Sequence, residues 1–216
     1  MIRLFIALVV LLCTIAPLQA QTKLAVDLAG GTCMGYELPC IETTARVEHF
    51  IRQFEVQGYG TYTPTDKLGG NSSNTYIAGA TGIAWTKYLG LTVNGRHTWL
   101  KSDQFNKRDA RFSVGAVKAF RWLDSSQRLY AAFVIPTGGY NSKTGIESNR
   151  LMGPEFRWEA NLWRNIDLHL KFKVLRVLHQ GNPSCDGSLG GAVTCQRKST
   201  WEGSSTTGIT FTWGVR

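Results

Sequence analysis

Beyond the stretch from Leu4 to Ala16, the chain has no apolar run near the roughly 18 to 20 residues that a membrane helix requires, which excludes a helical membrane protein after residue 20. It also has no GxGxxG, P-loop, HExxH or GxSxG pattern, so nucleotide-cofactor, phosphate-cradle, zinc-peptidase and serine-elbow chemistry have no sequence support. None of its cysteines has CxxC spacing, and no histidine sits beside two of them, so a zinc site is not expected. His49, His97 and His169 lie on different segments with no ligand or triad spacing. No nucleic-acid motif accompanies the basic charge, and neither a nucleic-acid partner nor a cofactor, metal or catalytic residue is expected.

What is present begins with an export signal. Arg3 precedes the apolar run and Leu18-Gln19-Ala20 closes it, so residues 1–20 are expected to be a secretory signal peptide. Cys13 follows Leu12 where a lipid-anchor signal would want a small residue, so no anchor is expected. Without the leader, four cysteines remain. Proximity favours Cys33 with Cys40 and Cys185 with Cys195 among three possible connectivities, and an oxidising compartment suits disulfides. Loss of Arg3 leaves a formal charge of +8, from +9 for the whole chain. An exported basic protein meets lipopolysaccharide phosphates and other surface polyanions instead of nucleic acid.

Residues 46–216 then alternate in hydrophobicity over eight segments. Their connections alternate too, between polar stretches (63–74, 101–108, 137–148, 180–205) and turns of a few residues. That rhythm predicts an all-β, eight-stranded, antiparallel up-and-down transmembrane β-barrel, because outer-membrane barrels pair short periplasmic turns with longer external loops. Residues 21–45 show no sustained period and are expected to form a periplasmic extension. The first strand is expected to start between Arg46 and Gln53. Trp85, Tyr88, Trp122, Trp163 and Trp213 fit an interfacial girdle at the short-turn side, with Trp99 and Trp201 at the other.

The hairpin from Glu155 to Lys173 carries the strongest argument. Phe156, Trp158, Leu168, Leu170 and Phe172 fall on one face. Glu155, Arg157, Glu159, Asp167, His169, Lys171 and Lys173 fall on the other, where opposite charges are placed to satisfy one another inside a narrow lumen. A soluble secreted ligand-binding β-barrel would show the same alternation with its polar face toward water, and stays open as an alternative.

The amphipathic final strand TGITFTWGVR and the loop rhythm resemble the eight-stranded outer-membrane proteins of Gram-negative bacteria, the OmpA-type, OmpX-type and opacity-like barrels. The chain departs from them in ending Val215-Arg216 instead of on an aromatic residue. The resemblance implies a structural, adhesive or surface-interaction role, with outer-membrane lipid, lipopolysaccharide, surface polyanions or host or matrix components as partners. Arg197, Lys198 and Trp201 in the largest loop are the contact candidates. Lipid A deacylases offer an enzyme alternative, resting on His179 in VLHQGNPS. There Gly181 occupies the position that their nucleophilic serine would take, and Ser184 lies beyond Pro183.

Overall fold

A strand with apolar residues at every second position has one face to bury, and here the sheet resolves this by closing on itself with its polar faces inward. The computed structural model describes residues 21–32, 39–68, 71–102, 106–141, 150–178, 184–186, 194–196 and 199–215. The expected leader, His179, Arg197 and Lys198 lie outside the described residues. The strands are β1 (Gln21–Thr32), β2 (Pro39–Ile51), β3 (Phe54–Leu68), β4 (Asn71–Trp85), β5 (Gly90–Ser102), β6 (Asn106–Trp122), β7 (Ser125–Asn141), β8 (Arg150–Trp163), β9 (Ile166–Leu178), β10 (Ser184–Asp186), β11 (Thr194–Gln196) and β12 (Ser199–Val215). Ten of them make a closed antiparallel barrel in the order β1-β12-β9-β8-β7-β6-β5-β4-β3-β2, while β10 pairs with β11 alone.

The barrel therefore has ten strands and not the expected eight, and residues 21–45 supply wall instead of a periplasmic extension. β1 is the closing strand, paired with β12 from Thr22↔Val215 to Thr32↔Ser205 and with β2 from Gln21↔Phe50 to Thr32↔Pro39. Its alternation is real but short: Leu24, Val26 and Leu28 are turned away from the inward Ala25, Asp27 and Ala29, whose small side chains leave little contrast. The single strand expected over 46–62 is the end of β2, a two-residue turn and β3. Arg52 holds that turn at φ 52°, a conformation usually signalled by glycine or asparagine, so the sequence carried no mark of it. At the seam, a Cβ on Gly208 would lie 2.2 Å from the Leu28 carbonyl oxygen and 2.6 Å from Ala29 Cα, so a side chain there would force the closing strands apart.

The turns joining β2 to β3, β4 to β5, β6 to β7 and β8 to β9 share one end of the barrel with Gln21 and Val215. The other end carries the connections 33–38, 69–70, 103–105, 142–149 and 179–198. This corrects the expected sidedness of the first cysteine pair, because the connection between β1 and β2 lies at the same end as β10 and β11. Cys40 is buried and disulfide-bonded, while Cys33 lies outside the described residues. The backbones of Cys185 and Cys195 are direct partners, but their side chains are not among those described.

Strands also reach into stretches expected to be loops. β3 runs to Leu68, β5 to Ser102, β7 to Asn141, and β12 starts at Ser199, so Trp201 is a strand residue and not a loop residue. With 12 to 17 residues each, the barrel strands exceed the 9 to 11 needed to cross a bilayer. Outside the bilayer the ladder continues through backbone hydrogen bonds, which Ser, Thr and Lys side chains do not interrupt.

The wall is apolar outside and charged inside. Leu170, at 43 % exposure near the middle of β9, points outward with Phe156 and Phe172, whereas Lys171 points inward. Leu170→Arg is expected to destabilise the barrel in bilayers by about 2 to 4 kcal/mol, as for a cation at the midplane. Lys171→Leu should cost less, because its partner Glu42, 3.8 Å away, faces a cavity that water can fill. Urea midpoints in lipid vesicles would check this, and equal losses would contradict the assigned faces. Tyr88, Trp122, Trp163 and Trp213 are exposed at the short-turn end, as a girdle requires. Trp85 is not one of them: its indole Nε1 donates to Glu55 Oε2 inside the barrel at 3.1 Å.

Candidate functional site: a charge-filled lumen

Ten strands enclose more space than the eight whose interior side chains can just fill, and the chain fills it with paired ions. β8 and β9 bring Glu155, Arg157, Glu159, His169, Lys171 and Lys173 to the inside. Asp167 sits apart from them at the short-turn end, where Asn161 Nδ2 donates to it at 2.8 Å and Thr212 Oγ1 at 3.4 Å.

The centre of the lumen is organised by Arg46, whose side chain is 4 % exposed. Its guanidinium lies 3.0 Å from Glu48, 3.2 Å from Glu159 and 3.8 Å from Asp27. Arg157 pairs with Glu159 and approaches Asp27 to 3.8 Å. Asp27 comes from β1, Arg46 from β2, and Arg157 and Glu159 from β8, so this cluster ties the closing hairpin across the lumen to the far wall. Beside it, His169 Nδ1 is 3.0 Å from Thr210 Oγ1, and both residues have no solvent exposure. A histidine and hydroxyl so enclosed have no room for a substrate between them.

Toward the short-turn end the lumen is crossed by a second layer. Glu55, fully buried, accepts hydrogen bonds from Gln57 Nε2 at 2.6 Å, Trp85 Nε1 at 3.1 Å and Arg128 Nη1 at 3.0 Å. The Arg128 guanidinium lies 5.8 Å from the ring centroids of both Phe50 and Trp85, within cation–π range. Toward the long-loop end Arg96 pairs with Glu155 and Arg111 with Asp109, each at 2.5 Å. Between these layers lies a cavity of about 170 Å³ bounded by, among others, Tyr59, Asn94, Arg96, Tyr130, Arg157, Lys171 and Lys173.

β8 and β9 are the strands whose charged residues the sequence pattern assigned to one face. Glu55 and Arg111 sat on recognisably polar faces of their strands but had no visible partner. Asp27, Glu42, Arg46 and Glu48 were missed because their strands were missed, and with them the centre of the network. No group of three or more potential metal ligands occurs among the described residues.

Strands span a bilayer only as a closed barrel, because an open edge would leave unpaired backbone groups in hydrocarbon. A closed barrel with an apolar exterior, a charged interior, aromatic residues at its rim and short turns at one end is the outer-membrane form of that solution. The protein is accordingly a bacterial outer-membrane β-barrel. No protein-family model matches the chain, and no curated protein matches it in sequence. Among solved structures it is similar to OmpT, an outer membrane protein of Vibrio cholerae (10 % identity, TM-score 0.40, 89 % of this chain and 64 % of that one). It is also similar to an anion-selective porin from Comamonas acidovorans (12 %, TM-score 0.36, 80 % and 49 %) and to Neisserial surface protein A (12 %, TM-score 0.35, 89 % and 96 %). The chain thus spans less than two thirds of the length of the first two. Likenesses at these scores carry nothing about activity.

Proposed function

We propose that the protein is a non-enzymatic, non-conducting barrel that acts at the cell surface through the connections of its long-loop end. The observation that carries this reading is the pair of cross-lumen layers centred on Arg46 and Glu55, whose ions are tied to one another instead of lining an open path. A solute-conducting barrel keeps its interior polar groups hydrated along a continuous channel, whereas Glu55 and His169 have no exposure and Arg46 has 5 %. With the lumen crossed by these layers and only tight turns at one end, the longer connections of the other end are the surface left for a partner. The connection 179–198 brings Arg197 and Lys198 to that end in sequence, and the exposed Trp201 follows them on β12, so cationic and aromatic groups of the kind that dominate interfaces fall together. Partners that fit are lipopolysaccharide, surface polyanions and host or matrix components.

The test has two parts. Purified protein in planar bilayers should show no stepwise conductance. Deletion of residues 186–194 should leave heat-modifiable folding intact while lowering binding to cells, matrix or lipopolysaccharide severalfold. Steady ion conductance, or unchanged binding by the deletion variant, would overturn the reading. Release of fatty acid from lipid A, abolished by His179→Ala, would replace it with an enzyme.

A further inference from the structure

On the outer wall of β3 to β6, direct register partners place Tyr62, Tyr76, Trp99 and Arg108 side by side in one row. Residues that face each other across an antiparallel pair share a face of the sheet. That face is the outer one, because Trp99 has the parity of Leu91 and Val93, which are 58 % and 56 % exposed. The Tyr62 and Tyr76 rings lie 5.2 Å apart, and His97 packs edge-on against Trp99 at 4.3 Å. One pleat further toward the loops, Asn74 and Lys101 are direct partners, and Asn74 Oδ1 accepts a hydrogen bond from Tyr62 at 3.1 Å.

The height of this row follows from strand geometry. Gly90, at the short-turn end of β5, is nine residues from Trp99. At about 3.3 Å per residue and a tilt of about 40°, that is about 23 Å along the membrane normal, against an apolar band about 25 Å tall. Trp99 therefore sits at the outer interface with Arg108 beside it, and Lys101, one pleat further out, reaches headgroup level. The two cations are exposed and have no ion-pair partner among the described residues, in contrast to the arginines of the lumen.

We propose that Lys101 and Arg108, backed by Trp99 and His97, form a binding site for a phosphate-bearing lipid headgroup of the outer leaflet. The two cations supply charge and donors for phosphate oxygens, the guanidinium in a fork that matches them. The tyrosine and tryptophan rings give the adjoining sugar or glycerol backbone an amphipathic ledge. The site rests on the reading of the chain as an outer-membrane barrel, but it lies on the wall of β5 and β6 and deletion of residues 186–194 removes none of its residues, so failure of the loop reading and failure of this one are distinguishable.

The full-length protein should be reconstituted in phosphatidylcholine vesicles doped with lipid A, with and without its phosphates, and association of the labelled lipid measured by fluorescence energy transfer from the protein's tryptophans, with Trp99→Phe isolating the contribution of Trp99. Phosphorylated lipid A should associate preferentially. Lys101→Ala and Arg108→Ala should each weaken that preference about fivefold, and the pair about 25-fold, with the loss shrinking at high salt. The swap Lys101→Arg with Arg108→Lys should preserve it, as should Lys118→Ala at the opposite rim. Heat-modified gel mobility verifies that each variant is folded. Equal association with dephosphorylated lipid A, or a folded double variant that keeps the preference, would overturn the proposal. So would full competition by millimolar inorganic phosphate, which would mark a free-anion site instead of a lipid site.

Discussion

A chain lacking residues 21–51 is expected to yield no folded barrel. These residues are β1 and β2, and their loss exposes the edge of β12 that β1 covers over Thr22↔Val215 to Thr32↔Ser205, together with the edge of β3 that β2 covers. Each backbone group left unpaired in hydrocarbon costs several kcal/mol, so the truncated sheet must close β3 directly onto β12 or fail. The lumen opposes that closure. Asp27, Arg46 and Glu48 would be gone, leaving Arg157 paired only with Glu159 and shrinking the space that the remaining ions occupy. The expected result is complete loss of the heat-modifiable band on gels and of strand-dominated circular dichroism in detergent micelles. A folded barrel from residues 52–216 would show instead that the first hairpin is dispensable, as a periplasmic extension would be.

Replacing Arg46 with alanine should be the most damaging single change in the lumen. The side chain is 4 % exposed and answers three carboxylates at 3.0, 3.2 and 3.8 Å, so its removal leaves Glu48, Glu159 and Asp27 facing one another with little solvent. Deleting one partner of a buried ion pair typically costs about 3 to 5 kcal/mol, because the charge left behind keeps its desolvation penalty. Arg121→Ala, at an exposed site, should stay within about 0.5 kcal/mol. Neutralising Glu159 together with Arg46 should recover part of the loss, since the two contributions are coupled. Urea unfolding in lipid vesicles would measure all three. An Arg46→Ala midpoint equal to that of the parent protein would mean that the network is not what holds the lumen closed.

What the sequence revealed depended on how much contrast each strand carried. The hairpin from Glu155 to Lys173 was legible because large apolar and charged side chains alternate through it without a break; in the structure its charged face lines the lumen, with Asp167 set apart at the short-turn end. β1 was not legible, because its inner face offers Ala25 and Ala29 beside Asp27, and three outward apolar residues do not outweigh two adjacent glycines at its end. The turn between β2 and β3 was hidden by chemistry that does not advertise itself: Arg52 in a left-handed conformation, flanked by Phe50, Ile51 and Phe54 at spacings that also suit a helix. Strand ends were underestimated for a different reason. Hydropathy changes where the bilayer stops, whereas pairing stops where the backbone runs out of partners. The inward turn of Trp85 had no sequence sign at all, since a tryptophan near a short turn fits a girdle as well as a plug, and only Glu55 across the barrel distinguishes them.

The seam between β1 and β12 also sets how this chain can fold. Thr22 meets Val215, so the first strand of the barrel waits for the last, and the ion pair between Arg46 and Glu159 spans 113 positions. Contacts this distant repay their loop-closure entropy only at the end of assembly, which makes folding slow and leaves intermediates with two uncovered edges. Hairpins between neighbouring strands can form early, but the central ions find one another only when the circle closes. Closure and charge neutralisation in the lumen are therefore a single event.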